Sequence, residues 1–392
     1  MVKPGGNIAT EQYEGATLEP GPDSYLDRSG LFNQLVAELD IKDKLLFEDK
    51  KSAKRYILKD GYLVNAPKSP GYGQPVIPYF DDLTVGQVFD AAPAMTITSG
   101  AAAVHQSILG DRMRLPLDAT LSHAVTGAPG ALAHPALVCD IAIGQSTLVT
   151  QRVKANLFYR GLTFHHFPVI GDTLYTRTEV VGLKQNSTKP GRAPTGLAAL
   201  RMITIDQADR LVLDFYRCAM LPLSPAASDT GHDDDLSGIG TDLPPAPDPT
   251  TGWDAEVFRQ RVPGPHFDTA LEGAVLHSTA DVVSSAPELA RLSLNIAATH
   301  HDSRVGGQRL VYGGHTIGLA LAQATRLLPN LVTVLGWESC DHTGPVHEGD
   351  TLYSELHVES AAGNRLGLRS LVHAVGEPDR QVLDWRFTAL MF

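Results

Sequence analysis

An α+β fold written twice, each half an antiparallel sheet wrapped around one buried helix, is what this sequence predicts. Three observations predict it. The stretch from Pro168 to Thr176 returns, lightly edited, as Pro345 to Ser354, which places Gly171 and Gly349 178 positions apart. The same offset carries Gln145-Ser-Thr onto Gln323-Ala-Thr. Farther on, Asp209-Arg-Leu-Val-Leu-Asp214 reappears as Asp379-Arg-Gln-Val-Leu-Asp384 at the shorter offset of 170. Matched landmarks in one order are the mark of an internal duplication, and differences between the copies then become clues to function.

The elements follow from local pattern. Residues 1 to about 30 are rich in Gly, Pro and acidic residues and read as a loose arm. From Leu31 to about Lys59, leucines recur near helical spacing among Lys, Glu and Asp, which predicts one or two amphipathic helices without counterpart in the second copy. The first copy runs over 79–223 and opens Tyr79-Phe-Asp-Asp-Leu-Thr-Val-Gly, read as a strand into a turn. Strands follow over 173–181, 195–206 and 210–221, with alternation clear in Leu174, Thr176, Thr178 and Val180. A polar, turn-rich excursion lies between Gly182 and Gly196, and the second copy bridges that point with about eight fewer residues. The Asp-, Pro-, Gly- and Ser-rich stretch within 224–266 reads as an exposed linker unable to order itself. The second copy occupies 267–392. Its long helix, about His315 to Leu328, carries small or apolar residues all round and so belongs inside a core. The apolar C-terminus, from Val382 to Phe392, reads as a strand paired inside a sheet.

Bulk properties exclude several classes of function. The chain has 392 residues, 43% hydrophobic and 19% charged, with a formal net charge of −12. That charge argues against wrapping nucleic acid, which calls for a basic face, but not against a small anionic ligand met by a few local cations. No window approaches eighteen uninterrupted apolar residues, so no membrane span is expected. The N-terminus lacks a signal-peptide core. Three widely spaced cysteines in apolar surroundings, Cys139, Cys218 and Cys340, read as buried thiols of a cytoplasmic protein.

Chemistry-bearing residues concentrate between Leu294 and Thr316. Asn295, His300, His301 and Asp302 precede the helix start Tyr312-Gly-Gly-His315. Gly313 and Gly314 permit a close backbone approach, and the free N–H groups of a helix N-terminus can hold developing negative charge on an oxygen. A histidine beside them can move protons near neutral pH. His301 alone reads as a core-edge histidine, and His315 serves equally as a helix-start residue or a substrate contact. His300, His301, Asp302 and His315 do not make a convincing metal set, since three successive side chains rarely point at one spot. No Gly-x-Ser-x-Gly elbow, phosphate loop or dinucleotide fingerprint appears.

Asn295-x4-His300-x-Asp302, then Leu310-Val-Tyr-Gly-Gly-His315, then Gly349-Asp-Thr-Leu-Tyr resemble the MaoC-like, R-specific enoyl-CoA hydratase family. With Gly-Asp-Thr-Leu in both copies, the chain is most similar to the double-length mesaconyl-CoA hydratases, also called β-methylmalyl-CoA dehydratases. The resemblance covers roughly Tyr79 to Phe392. It implies a double hotdog fold and a thioester substrate, carried by CoA or acyl carrier protein. It also implies a hydro-lyase without cofactor or metal, in which an aspartate and a histidine five positions apart act on one water.

Here the family aspartate is Asn295, and an amide can orient water but cannot accept its proton. Three explanations compete. His300 serves as both acid and base, as the likeness to the mesaconyl type implies; Asp302 substitutes; or hydration is lost. In the first copy, Asp111 stands where the acid should be, Pro116 takes the histidine place, and the helix starts His134-Pro-Ala rather than Tyr312-Gly-Gly. That copy is expected to have lost its own site and to shape the acyl or CoA pocket, unless His105, Asp111 and His134 reach across. The expected set is therefore His300 as general acid/base, Asn295 orienting water, Asp302 assisting, and Gly314 as oxyanion donor, with Gly313, His315, Tyr312 and Asp111 binding substrate. Rival readings keep the fold and change the chemistry, to thioester hydrolysis or a specialised dehydration or cyclisation, or leave a non-catalytic acyl-binding scaffold. Monomer and homodimer are both open.

Overall fold

A computed structural model describes residues 11–13, 16–18, 56–59, 62–65 and 77–392 except 189, 244 and 306. The chain divides into two units, Met1–Pro75 and Val76–Phe392. The described part of the first unit is two antiparallel hairpins: β1 (Glu11–Tyr13) with β2 (Ala16–Leu18), and β3 (Tyr56–Lys59) with β4 (Tyr62–Asn65). The helices expected over 31–59 lie outside the described residues except at their end, and there Tyr56–Lys59 is a strand.

In the second unit one continuous antiparallel sheet carries both copies. Its long strands are β7 (Ala155–Phe164), β8 (Thr173–Gln185), β9 (Thr195–Ile205) and β10 (Leu211–Pro222) in the first half. The second half supplies β13 (Leu331–His342), β14 (Thr351–Ala362), β15 (Arg365–Ala374) and β16 (Arg380–Met391). Short strands β5 (Val88–Phe89) and β6 (Met95–Thr96) pair with β8, while β11 (Val275–His277) and β12 (Asp281–Val282) pair with β14. The order is β11-β14-β15-β16-β13-β7-β10-β9-β8-β5, so the halves mirror one another about the β13–β7 seam. Gly336 sits on that seam, where a Cβ would press on the Leu162 carbonyl at 2.5 Å. Two core helices, Pro135–Gln145 and Gly313–Leu327, lie in the hollows of the sheet; every residue of the first is buried.

The repeated sequence marks repeated bonds. Gln145 ends the first core helix and donates from Nε2 to the Leu174 carbonyl at 2.9 Å; Gln323 does the same to the Leu352 carbonyl at 2.9 Å. Gly171 and Gly349 have φ of +110° and +95°, a backbone region closed to most side chains. Beside them Asp172 and Asp350 accept from the Val169 and His347 N–H groups. The third landmark holds a cross-strand fork, Arg201 on Asp214 in one copy and Arg369 on Asp384 in the other.

Two expectations are corrected here. Tyr79–Leu83 is not a strand: Phe80–Asp82 forms a 3₁₀ turn because the Asp82 carboxylate caps the Tyr79 N–H at 2.9 Å. The stretch after Ser224 is mostly exposed, yet it does not hang free. Asp234 accepts from Leu183 N–H, the His232 carbonyl accepts from Gln185 N–H, and Leu236 is buried against Cys218. Backbone pairing supplies order that its apolar content could not. The three cysteines are free and buried, and among the described residues no helix is long and apolar enough to cross a membrane.

Candidate active site

A short segment of the second copy, bonded to the first, builds the site. Ala298–His300 forms a 3₁₀ turn that follows an Asx turn, in which Asn295 Oδ1 accepts from Ala297 N–H at 3.0 Å. Bonds to the first copy pin this segment: Ile296 N–H donates to Thr147 Oγ1 at 3.1 Å, and Ala298 N–H to the Gln151 carbonyl at 3.0 Å. His301 donates from Nε2 to the Asn295 carbonyl at 2.6 Å and so holds the turn from behind. Asn295 and His300 end up on one narrow cavity with Thr150, Asn156, Tyr159, Arg217, Tyr312 and Gly313. Its volume of about 30 Å³ holds one or two waters, so a substrate that reaches the histidine must be slender and must widen the cavity.

His300 has a defined tautomer. Its Nδ1 lies 2.8 Å from the Leu310 carbonyl, which can only accept, so Nδ1 carries the proton and Nε2 keeps its lone pair. Burial pushes its pKa down to about 4, against a rise from the Leu310 bond, and the charges of His301 and Arg217 lower it further. The imidazole is therefore neutral at pH 7. Tyr312 stands edge-on to it at 5.7 Å between ring centres. His342, partly buried and also lowered to about 4 by burial and by His300, lies against Gly313.

The second core helix begins at Gly313 with no side-chain cap from Tyr312, which leaves its first N–H groups free for a ligand. Both glycines are sterically required. A Cβ on Gly313 would meet the His342 ring at 2.6 Å, and one on Gly314 would collide with the Asp140 carboxylate and the Tyr312 ring. The matching helix start in the first copy has spent its donors: Pro135 has no N–H, and His134 Nδ1 accepts from Ala136 N–H at 3.2 Å.

Not every predicted residue arrives. Gly313, Tyr312, Asn295 and His300 line the cavity, whereas Gly314, His315, Asp111 and Asp302 do not. Asp302 faces solvent, where the Arg304 guanidinium grips it and holds its pKa at about 2. A local turn satisfied it first. His315 is fully buried on the opposite side of the helix, without a hydrogen-bond partner on either ring nitrogen. Its pKa is lowered to about 4 by burial and by His105. Asp111, His105 and His134 do not reach the His300 cavity. They form a buried group of their own, with His134 Nε2 3.1 Å from Asp111 and His105 Nε2 3.5 Å from Asp140. Asp140 is pushed up to about 7 by burial, against the opposing pull of Tyr312 and His134. The metal-ligating types His300, His301, Asp302 and His315 point into different surroundings. One cluster with ligand spacing occurs among the described residues, His166, Asp172 and Asp206. Arg210 already holds Asp206 at 2.6 Å, and Gln207 holds Asp172 at 2.5 Å.

Arg217 and His342 were missed by sequence reasoning. A signal for Arg217 existed: it takes the inward place in the alternation Leu213, Phe215, Arg217, Ala219, Leu221, all buried. His342 had none, lying at the end of β13 without a motif.

No family model matches the chain. A solved structure of a conserved hypothetical protein from Mycobacterium tuberculosis, RV0216, which has a double hotdog fold, is 74% identical, with a TM-score of 0.78 over 80% of this chain and 98% of that one. A MaoC domain protein dehydratase structure from Chloroflexus aurantiacus is 25% identical, with a TM-score of 0.66 over 81% of this chain and 98% of that one. The chain belongs with RV0216 to the double-hotdog proteins, and it is similar to the MaoC domain dehydratase. Among named relatives, the β-methylmalyl-CoA dehydratase of Chloroflexus aurantiacus is 29% identical over 336 residues, 79% of this chain and 90% of that protein. In double-hotdog terms, each core helix is the filling of one hotdog, and the cavity at His300 is lined by residues of both.

Proposed function

We propose that this protein catalyses reversible hydration of a short or branched α,β-unsaturated acyl thioester, close in kind to mesaconyl-CoA, at one site built by both copies. The reading rests on one observation above all: His300 presents a bare Nε2 to a closed cavity that also receives the uncapped start of the second core helix. A water in that cavity gives a proton to Nε2 while its oxygen bonds to C3. The electron pair moves onto the thioester oxygen, where the uncapped helix start at Gly313 stabilises it. The imidazolium then returns the proton to C2, so water is added and nothing else is consumed. Asn295, its Oδ1 occupied by Ala297, offers Nδ2–H to orient the water or the thioester. A single histidine as acid and base needs no second carboxylate, which fits a cavity whose lining contains none.

The test is hydration of mesaconyl-CoA and crotonyl-CoA followed by loss of the enoyl absorbance, with wild type and His300→Ala compared. Loss of a positioned acid/base group lowers the rate by about 10²–10⁴-fold. Equal rates in the two proteins would sink the assignment. Release of free CoA, detected with a thiol reagent, would point to thioester hydrolysis instead.

A further inference from the structure

We propose that Arg217 is the recognition group for a carboxylate on the acyl part of the substrate, so that this site takes the monothioester of a short dicarboxylic acid. The proposal deepens the hydratase reading and rests on it for the identity of the site. Arg217 projects inward from β10 and is 3% exposed. Burying a guanidinium without a counter-charge is costly, and in folded proteins such groups are nearly always paired. Here no carboxylate pairs with it among the described residues; the ionisable groups around it are Tyr159, Tyr312 and Cys218. Its Nη2 donates to the Ser146 carbonyl at 3.3 Å and to Thr150 Oγ1 at 2.7 Å, while Nε has no partner at all.

Those bonds orient the guanidinium at the C-terminal end of the first core helix but leave the fork incomplete. A carboxylate completes it, because the planar fork matches two oxygens at once. The cavity that Arg217 lines is that of His300, and its charge reaches the His300 ring. The fold itself does not demand an arginine here. At the matched strand position in the second copy stands Phe387, stacked on Trp385 with ring centres 3.9 Å apart. The cation therefore appears only in the copy whose strand faces the working histidine. The thioester oxygen is served from the other direction by the helix start, so the group left for Arg217 is a permanent anion beyond the double bond.

Calorimetric binding of succinyl-CoA and butyryl-CoA tests this directly, since both are saturated and carry the same CoA. Wild type is expected to bind succinyl-CoA at least 10-fold more tightly. Arg217→Met should erase that ratio while leaving butyryl-CoA affinity and the melting temperature near wild type, and Arg217→Lys should keep part of it. Equal affinity in wild type, weak or absent binding of both, or a ratio that survives Arg217→Met overturns the proposal. If Arg217→Met fails to fold, the wild-type ratio alone decides. Hydration of fumaryl-CoA against crotonyl-CoA separates the two readings. Rapid crotonyl-CoA hydration with fumaryl-CoA refused retains the hydratase and rejects the clamp. Arg217-dependent succinyl-CoA binding with neither substrate hydrated retains the clamp and rejects the hydratase.

Discussion

At the scale of single residues, the site is defined by which polar atoms are already occupied. His300 spends Nδ1 on Leu310 and Asn295 spends Oδ1 on Ala297, so one base nitrogen and the Asn295 amide NH₂ remain for substrate. Asp302, the residue sequence proximity favoured, is spent on Arg304 and leaves the site. With His300 held at a pKa of about 4, its base form persists at all higher pH. The rate at limiting substrate should therefore stay flat from about pH 5.5 to 8 and fall below with a midpoint near 4 to 5. A midpoint at 6.5 or above would show that the working base is another group. Gly314 makes a second residue-scale prediction. Gly314→Ala forces a Cβ into the Asp140 carboxylate and Tyr312 ring, and overpacking of this kind costs about 1–3 kcal/mol. Denaturant melts should register that loss, and hydration should drop more than stability as the helix start shifts away from the cavity.

At the scale of elements, the duplicated glutamines tie each core helix to its sheet. Gln323 donates to Leu352 and accepts from Ser354. Replacement by Leu strands a buried carbonyl and a buried hydroxyl, at about 1–3 kcal/mol for each group left unmade. Gln145→Leu strands the Leu174 carbonyl likewise but leaves Thr176 bonded to Thr204, and should cost a similar amount or slightly less. A large inequality between the two variants in denaturant midpoint would show that the copies are not held alike. The helix starts behave oppositely. The first is closed by Pro135 and His134, the second left open at Gly313. This difference, rather than any in the sheets, leaves the open helix start to one copy.

At the scale of the whole molecule, the fold buries several histidines that carry charge in the unfolded chain below pH 6.5. His300, His315 and His342 are each lowered to about 4, and His105 well below its ordinary value, by burial first in every case. As pH falls through 6.5 the unfolded chain takes up these protons and the folded one does not, so stability is lost between about pH 6.5 and 4. The loss is on the order of 2 kcal/mol at pH 5 for each of His300, His315 and His342, by about 1.4 kcal/mol per unit of separation. Asp140, raised to about 7, works the other way and regains part of this as pH falls, since one carboxyl opposes four imidazoles. The melting temperature should therefore drop steeply from pH 7 to 5. His315→Phe or His342→Phe should flatten that slope, and an unchanged slope in both would refute the linkage.

The repeat, the helix starts, the strand alternation and the candidate histidine were legible in the chain because they are local. Turn glycines, period-two patterning and a glycine pair before an apolar run carry their meaning within a few residues. The sequence by itself determined that one scaffold is present twice and that the His300 and Gly313 features are present once. Tertiary structure decided what stands around them. The seam of β13 with β7 carries Arg217, Thr150 and Tyr159 of the first copy into the cavity of the second, while the grip of Arg304 keeps Asp302 toward solvent and a helix face turns His315 away. Such partners lie 80 or more positions from His300. Their approach depends on sheet register and burial, and no spacing along the chain records either.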